Sequence, residues 1–282
     1  MNTRMGAGFR LADLTAPRVA GRRASELWFT VPPQMAPTPL PPGAEPFTVT
    51  SQGADVHGRV FGNGPVVYLV HGWGGRGSQL ASFVAPLLAT GHRVVLFDAP
   101  AHGDSPHGPA GPGRTHGVEF ARALDAVFSR FGPAEAVIAH SMGAIATYLA
   151  LRFGWLGTKR LVLIAPMVEA ENLLDQFQAA LGFGDRTRRA FDREADAFVG
   201  LPLAVFDALV QASYVEPVPT LVVHDVNDRQ TPYAHAEQLV LGLPDAAMVT
   251  TDGLGHRRIL RDPQVIAEVL DFVGPAERAA VA

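Results

Sequence analysis

The sequence predicts an α/β fold built on a mostly parallel, doubly wound sheet of eight strands. From Phe47 onward, short apolar runs alternate with longer segments of helical character. Some of these runs, such as Val66–Val70 and Leu161–Ile164, are continuously apolar, which is typical of parallel strands buried on both faces. At 282 residues the chain can form one such domain with a large core, or two small domains.

The composition is that of a globular protein, with 48% hydrophobic and 18% charged residues. The net charge is −4 and no basic stripe is present, so we expect no nucleic-acid partner. The chain has no cysteine, which excludes disulfides, a thiolate nucleophile and cysteine metal ligands, and fits a reducing compartment. No apolar stretch approaches the ~20 residues of a membrane span, so we expect no integral membrane segment and a cytoplasmic location.

The amino-terminal region, residues 1–46, is predicted to be a helix followed by a connector. A short helix with a weak apolar face is expected from Leu11 to Phe29. The stretch Val31–Pro46 has seven prolines among sixteen residues, which favours an extended chain. We expect the helix to pack on the main domain. A membrane-surface anchor or a docking element for a partner is the alternative.

The remaining elements belong to the predicted domain, residues 47–282. The predicted strands are Phe47–Ser51, Val56–Phe61, Val66–His71, Arg93–Asp98, Ala136–His140, Leu161–Ala165, Thr220–His224 and Ala247–Thr251. The predicted helices are Gln79–Ala89, Val118–Phe131, Gly143–Phe153, Tyr233–Leu241 and Pro263–Phe272. No helix separates the first two strands, which predicts an antiparallel hairpin at one edge of the sheet.

Residues 167–214 interrupt the alternation, because they contain no strand-like run. Phenylalanines recur every six to eight residues, and glycine and proline divide the segment into two or three short helices. Ligands of doubly wound sheets bind outside the carboxyl ends of the strands, where this insertion leaves the sheet. We therefore expect a lid, with a helical elaboration that only adds core as the alternative.

The strongest chemical signal is the segment Ala139–Gly143, which follows the apolar run Ala136–Ile138 and precedes a helical segment. Small residues on both sides of Ser141 permit a sharp turn from strand to helix, which exposes the hydroxyl at a helix amino terminus. Here the sequence resembles the α/β-hydrolase superfamily, whose nucleophile elbow is G-x-S-x-G, with Ala139 in place of the first glycine. The resemblance covers roughly residues 47–275 and implies that Ser141 is the nucleophile.

Two further loops resemble the same superfamily. His71-Gly72-Trp73 follows a buried strand, and the resemblance implies an oxyanion hole formed by the N–H groups of Trp73 and Met142. A plain turn is the alternative for this glycine cluster. The segment Phe97–Ser105 resembles the D-x-P-G-H-G-x-S loop, with Ala101 in place of a glycine. We interpret that loop as structural, although His102 and Ser105 are alternatives for catalytic roles.

The acid and the base are expected in the last two loops after strands. Asp228 lies four residues before Pro232, where the superfamily has its acid, and Asp225 is the runner-up. Either aspartate could instead be a helix cap. His256 follows a glycine-containing loop and is the implied base, with a surface histidine as the alternative. The resulting order Ser141, Asp228, His256 is the one expected of this superfamily.

These residues predict a serine hydrolase that cleaves carboxylic esters with an apolar acyl or alcohol group through an acyl-enzyme. We expect Met167, Phe177 and Phe183 to contact the substrate. No metal or organic cofactor is expected. A thioesterase, a C–C or amide hydrolase, a perhydrolase and a non-catalytic small-molecule receptor stay open as alternatives. A homodimer is also left open.

Overall fold

The computed structural model describes residues 3–33 and 35–276, in which eight strands form one sheet. The strands are β1 (Glu45–Ser51), β2 (Ala54–Phe61), β3 (Val66–Val70), β4 (Arg93–Phe97), β5 (Ala134–His140), β6 (Leu161–Ile164), β7 (Thr220–Asp225) and β8 (Ala246–Thr251). Each coincides with a predicted strand to within two residues at either end. The predicted fold class, an α/β fold with a mostly parallel, doubly wound sheet of eight strands, is confirmed.

The sheet has the order β1-β2-β4-β3-β5-β6-β7-β8. Strands β3 to β8 run parallel, whereas β1 and β2 form the predicted antiparallel hairpin at one edge. The register pairs Val70 with Ala139 and His140 with Ile164, so β3, β5 and β6 end side by side. The loops that leave these strands therefore begin at the same edge of the sheet.

Eleven helices are described within residues 3–33 and 35–276. They are α1 (Thr3–Thr15), α2 (Pro17–Trp28), α3 (Ala81–Ala89), α4 (Gly117–Phe131), α5 (Met142–Arg152), α6 (Glu171–Leu181), α7 (Asp185–Val199), α8 (Ala208–Ala212), α9 (Tyr233–Gly242), α10 (Gly255–Arg258) and α11 (Pro263–Val273). Short 3₁₀ segments span Gly77–Leu80, Leu203–Val205 and Ile259–Arg261. None of the helices in these ranges is both long and apolar enough to cross a lipid bilayer.

The amino-terminal region differs from the prediction of one helix over Leu11–Phe29. The structure contains two helices, because Ala16 leaves the helical conformation (φ −147°) and Pro17 begins α2 at a position that proline favours. The predicted connector Val31–Pro46 includes residue 34, which lies outside the described residues, as do residues 1–2 and 277–282 of the predicted domains.

Contacts divide the described chain into two compact units. The smaller unit combines residues 3–30 with 169–207, and the larger unit combines 31–168 with 208–276. The larger unit contains the sheet, and part of its core consists of the buried residues Leu69, Phe83, Ile138 and Val269. Burying each such side chain contributes about 1.5–3 kcal/mol to folding. The domain boundary predicted after residue 46 and the lid function of residues 167–214 stay predictions.

The smaller unit has an aromatic core of its own. The ring of Trp28 in α2 lies 5.2 Å from that of Phe177 in α6 and 6.2 Å from that of Phe191 in α7, measured between ring centroids. Phe183 is buried between Phe177, at 6.1 Å, and Phe9 of α1, at 5.8 Å. The insertion thus shares its core with the amino-terminal helices.

Polar contacts also connect the helices of the smaller unit. Arg188 of α7 forms ion pairs with Glu171 and Asp175 of α6, at 2.6 and 3.0 Å. The backbone N–H of Thr187 donates to Oδ1 of Asp13 in α1 at 2.8 Å. The Arg188 side chain is only 14% exposed, whereas Glu171 and Asp175 face solvent, so these charge-assisted bonds connect α6 to α7 at the surface of the unit.

Helices α2 and α7 approach closely at Gly21. A Cβ atom on Gly21 would lie 2.5 Å from the Cβ of Ala190 and 2.6 Å from the backbone nitrogen of Phe191. We expect Gly21→Ala to force the two helices apart and to lower the free energy of unfolding by about 1–3 kcal/mol. Urea unfolding followed by tryptophan fluorescence measures this change.

Gly8 in α1 is the matched control, because a Cβ there would meet nothing within 4 Å. Gly8→Ala should raise the unfolding free energy by about 0.5–1 kcal/mol, since alanine favours helix over glycine. Equal stability of the two variants would contradict the close packing of α2 on α7.

Candidate active site

Ser141 occupies the sharp turn between β5 and α5, with φ 53° and ψ −121°. Only glycine adopts such a conformation readily, so the backbone is strained at this residue. Hydrogen bonds hold it in place: the N–H of Ser141 donates to the carbonyl of Ile164 at 3.1 Å, and the N–H of Met167 donates to the carbonyl of Ser141 at 3.1 Å. Strain of this kind is characteristic of functional sites, and it points to the Ser141 hydroxyl.

Two glycines allow the segments around Ser141 to pack closely. A Cβ atom on Gly143 would lie 2.7 Å from the carbonyl oxygen of Val70 and 2.9 Å from that of His71. A Cβ atom on Gly72 would lie 2.8 Å from the Cβ of Ser141. Helix α5 and the loop after β3 therefore contact the turn through backbone atoms, with no side chain between them. This close approach explains why small residues are needed at positions 72 and 143.

His256 lies in the short helix α10 and contacts Asp228, which follows β7. Its Nδ1 atom is 2.7 Å from Oδ2 of Asp228, and the Asp228 side chain is fully buried. The other carboxylate oxygen, Oδ1, accepts from the N–H of Gln230 at 2.7 Å and of Thr231 at 3.2 Å. Burial acts to raise the pKa of Asp228, but the hydrogen bond and charge of His256 outweigh it and lower the pKa to about 2.

Asp225, the alternative acid, has different partners. Its Oδ2 atom accepts from Thr251 Oγ1 and from the N–H of Leu254, both at 2.8 Å, and its Oδ1 atom accepts from the N–H of Asn227 at 2.9 Å. These bonds connect the loops after β7 and β8. The structure thus places Asp228 beside His256 and gives Asp225 the partners of a loop anchor.

His140, whose role the sequence analysis missed, links His256 to the Ser141 turn. Among the described residues, the Ser141 hydroxyl forms no hydrogen bond with His256 or with any other side chain. His140, which immediately precedes Ser141, has its ring centroid 4.7 Å from that of His256. Its only sequence signal was its place inside the motif. The assignment of Ser141, His256 and Asp228 as one triad stays a prediction.

The predicted oxyanion donors lie on two adjacent segments. Trp73 follows Gly72, which packs against Ser141, and Met142 is the first residue of α5. None of the hydrogen bonds among the described residues uses the N–H of Trp73 or of Met142 as a donor. A first helical residue has no partner in its own helix, so the N–H of Met142 suits an external acceptor.

A model of the alpha/beta hydrolase family matches residues 67–269 of this chain. The chain belongs to the alpha/beta hydrolase family. Its predicted superfamily is therefore confirmed, and its coarse functional class is that of a hydrolase enzyme.

Similar proteins include several esterases. The hydrolase is 25% identical over 255 residues to a pimeloyl-[acyl-carrier protein] methyl ester esterase of Aromatoleum aromaticum, which covers 75% of this chain and 98% of that protein. An esterase from Pyrococcus furiosus has a similar structure, with a TM-score of 0.66, 17% identity and coverage of 87% and 97% of the two chains. The thioesterase domain of the curacin biosynthetic pathway has a TM-score of 0.59, 20% identity and coverage of 82% and 99%.

Two histidines of this hydrolase connect the loop after β3 to the loop after β4. Nε2 of His71 accepts from the N–H of Ala99 at 3.0 Å, and Nε2 of His102 accepts from the N–H of Gly74 at 2.9 Å. Each loop thus contributes one imidazole acceptor and one backbone donor. We call His71 and His102 the histidine pair. It fixes the segment on either side of Trp73, and it engages His102 in the structural role expected for its loop.

Both members of the histidine pair must be neutral to accept these bonds. Their Nδ1 atoms donate to carbonyl oxygens, that of His71 to Gly72 at 2.7 Å and that of His102 to Pro100 at 3.0 Å, so Nε2 carries no proton. Burial lowers the pKa of His71 to about 4. Burial, together with the neighbouring His71, lowers the pKa of His102 to about 3.

The residues predicted to contact the substrate lie in both units. Met167, in the larger unit, hydrogen-bonds to the Ser141 carbonyl. Phe177 and Phe183 pack in the aromatic core of the smaller unit. Contact of these three residues with a substrate stays a prediction. Within residues 3–33 and 35–276, no group of three or more histidine, aspartate or glutamate side chains is arranged to hold a metal ion.

The histidine pair predicts a loss of stability in mild acid. The unfolded chain takes up protons near a histidine pKa of about 6.5, whereas the folded chain leaves these rings neutral down to about pH 4. Stability should therefore be complete above about pH 6.5 and fall as the pH decreases toward 4. Urea unfolding between pH 7 and pH 4.5 measures this dependence.

The variant His102→Gln should show a shallower dependence, because it lacks one of the two rings. His107→Gln changes an exposed histidine nearby and is the control that should keep the wild-type dependence. Identical slopes for wild type and His102→Gln would contradict a neutral, buried His102.

Proposed function

We propose that this hydrolase is a serine esterase that cleaves carboxylic esters through a covalent acyl-enzyme. The observation that carries the proposal is the 2.7 Å contact between His256 Nδ1 and the buried Asp228 carboxylate, at the sheet edge where the strained Ser141 lies. An imidazole oriented by a buried carboxylate is the arrangement that a general base for a serine nucleophile requires.

In the proposed reaction, Nε2 of His256 accepts the proton of the Ser141 hydroxyl as its oxygen attacks the ester carbonyl. Asp228 keeps the other ring nitrogen, Nδ1, protonated and stabilises the imidazolium that forms. The N–H groups of Trp73 and Met142 donate to the oxyanion. His256 then protonates the leaving alcohol and activates a water molecule that releases the acid.

We assign the substrate to carboxylic esters with an apolar acyl or alcohol group. The relative from Aromatoleum aromaticum is named for hydrolysis of a methyl ester, which supports ester chemistry. Met167, Phe177 and Phe183 are the side chains proposed to contact the apolar group. Thioesters, amides, carbon–carbon bonds and peroxide require the same catalytic groups, so a panel of matched substrates distinguishes among them.

Ser141→Ala should abolish hydrolysis. We expect kcat/KM for p-nitrophenyl butyrate to fall by at least about 10³-fold, because no nucleophile is left. Labelling by a fluorophosphonate probe should be lost at the same time. Stopped assays and gel fluorescence measure the two effects.

Ser213→Ala, at an exposed position directly after α8, is the matched control and should keep wild-type activity and labelling. Full activity of Ser141→Ala would refute the proposal. A wild-type protein that binds an ester tightly without releasing product would instead indicate a small-molecule receptor.

The two aspartates after β7 make a second test of the assignment. Asp228→Asn should lower kcat by about 10²–10⁴-fold with a small change in stability, because the amide favours the wrong imidazole tautomer. Asp225→Asn should mainly lower the free energy of unfolding, since it weakens the bonds to Thr251 and Leu254. Kinetics and urea unfolding of both variants measure this, and a larger kcat loss in Asp225→Asn would reverse the assignment.

A further inference from the structure

His140 is a fully buried histidine that the proposed reaction does not use. It is the last residue of β5, and its Nε2 atom lies 2.9 Å from the backbone carbonyl oxygen of His256. The two residues are 116 positions apart in the chain. Because a carbonyl oxygen can only accept, Nε2 of His140 carries the proton and donates.

The surroundings of Nδ1, the other ring nitrogen, show that His140 carries only one proton. Its Nδ1 atom has no hydrogen-bond partner among the described residues, and it faces the backbone of Gly72, where a Cβ atom would lie 3.2 Å away. Burial, reinforced by the neighbouring His256, lowers the pKa of His140 to about 3. The other titratable groups that face the ring are His71 and Asp228. His140 is thus a neutral imidazole in one tautomer, with a single donor aimed at His256.

His256 is consequently held at both ends. Asp228 holds its ring through Nδ1 at 2.7 Å, and His140 holds its backbone through the carbonyl oxygen at 2.9 Å. The chain around α10, a helix of four residues, is held by Asp225 at Leu254, and the bond from His140 acts on the carbonyl of His256 itself. Two anchors on opposite ends of one residue fix where the remaining nitrogen, Nε2, points.

We propose that His140 is a positioning residue that fixes the backbone of His256 relative to the Ser141 turn. This inference rests on the proposed function, in which His256 is the base. His140 touches neither the substrate nor the reacting atoms. It acts because it is bonded to Ser141 on one side and hydrogen-bonded to His256 on the other, so that nucleophile and base share one rigid connection.

A matched pair of substitutions isolates the donor. The amide nitrogen of glutamine is separated from Cβ by the same number of bonds as Nε2 of histidine, so His140→Gln can donate to the same carbonyl. The amide nitrogen of asparagine is one bond closer to Cβ, so His140→Asn cannot reach it. His140→Met fills the volume of the ring but has no hydrogen-bond donor. It is a second variant in which the bond to the His256 carbonyl is lost.

The kinetic readout is the separation of kcat from KM with p-nitrophenyl butyrate. His140→Asn and His140→Met should lower kcat by about tenfold to a hundredfold with KM within about threefold of wild type, because a misplaced base slows chemistry rather than binding. His140→Gln should keep kcat within about threefold of wild type. A role in stability alone would not produce this recovery by glutamine.

An NMR readout does not depend on turnover. In protein labelled with ¹⁵N-histidine, the His256 Nδ1–H resonance, assigned by its absence in His256→Gln, reports the bond to Asp228. We expect this resonance to be retained in His140→Gln and to be broadened or shifted in His140→Asn and His140→Met. Thermal unfolding of the same samples shows whether each variant is folded.

The outcomes separate the two proposals. A wild-type protein that neither hydrolyses esters nor reacts with fluorophosphonate overturns the proposed function, and the His256 resonance still tests the anchor. If all three His140 variants keep the wild-type resonance, or if asparagine and glutamine have equal kcat values, the positioning role is overturned. If His140→Met unfolds the protein, the comparison of His140→Gln with His140→Asn decides whether His140 has the positioning role.

Discussion

The close packing of bare backbone around Ser141 is the constraint on which the rest of the site depends. Glycines at 72 and 143 let the loop after β3 and helix α5 touch the turn, and the turn is held in a conformation that costs energy. A strained backbone persists only where its surroundings over-determine it. Here the surroundings are the adjacent ends of β3, β5 and β6, so the same sheet register that forms the core also positions the Ser141 turn.

Around this turn, the larger unit uses buried neutral histidines as directional connectors. They are His71, His102, His140 and His224. Burial lowers the pKa of each, so each imidazole offers one donor and one acceptor without adding charge. The neutral rings therefore add no charge beside the contact between Asp228 and His256. The same four histidines therefore hold the loops in position and leave the charge around the site unchanged.

Sequence patterns predicted the sheet well, because buried parallel strands are continuously apolar and that signal is local. The residues of the candidate site were found because each follows a strand in a short motif. The division of the amino-terminal helix at Pro17 was missed, as was the contact of His140 with His256. The packing of Trp28 against Phe177 and Phe191 was also missed. Such contacts join residues that are far apart in the sequence and produce no periodic pattern of residue types. They are therefore visible only in the folded structure.

The smaller unit combines two segments that are far apart in the chain, and this has a consequence for folding during synthesis. Helices α1 and α2 leave the ribosome before their packing partners α6 and α7, which are synthesised more than a hundred residues later. During that interval Phe9 and Trp28 have no aromatic core to join. At a synthesis rate of about 5–20 residues per second, the wait lasts on the order of ten seconds. Helices α1 and α2 therefore reach their native contacts late, and Phe9 and Trp28 stay without their native aromatic partners until then.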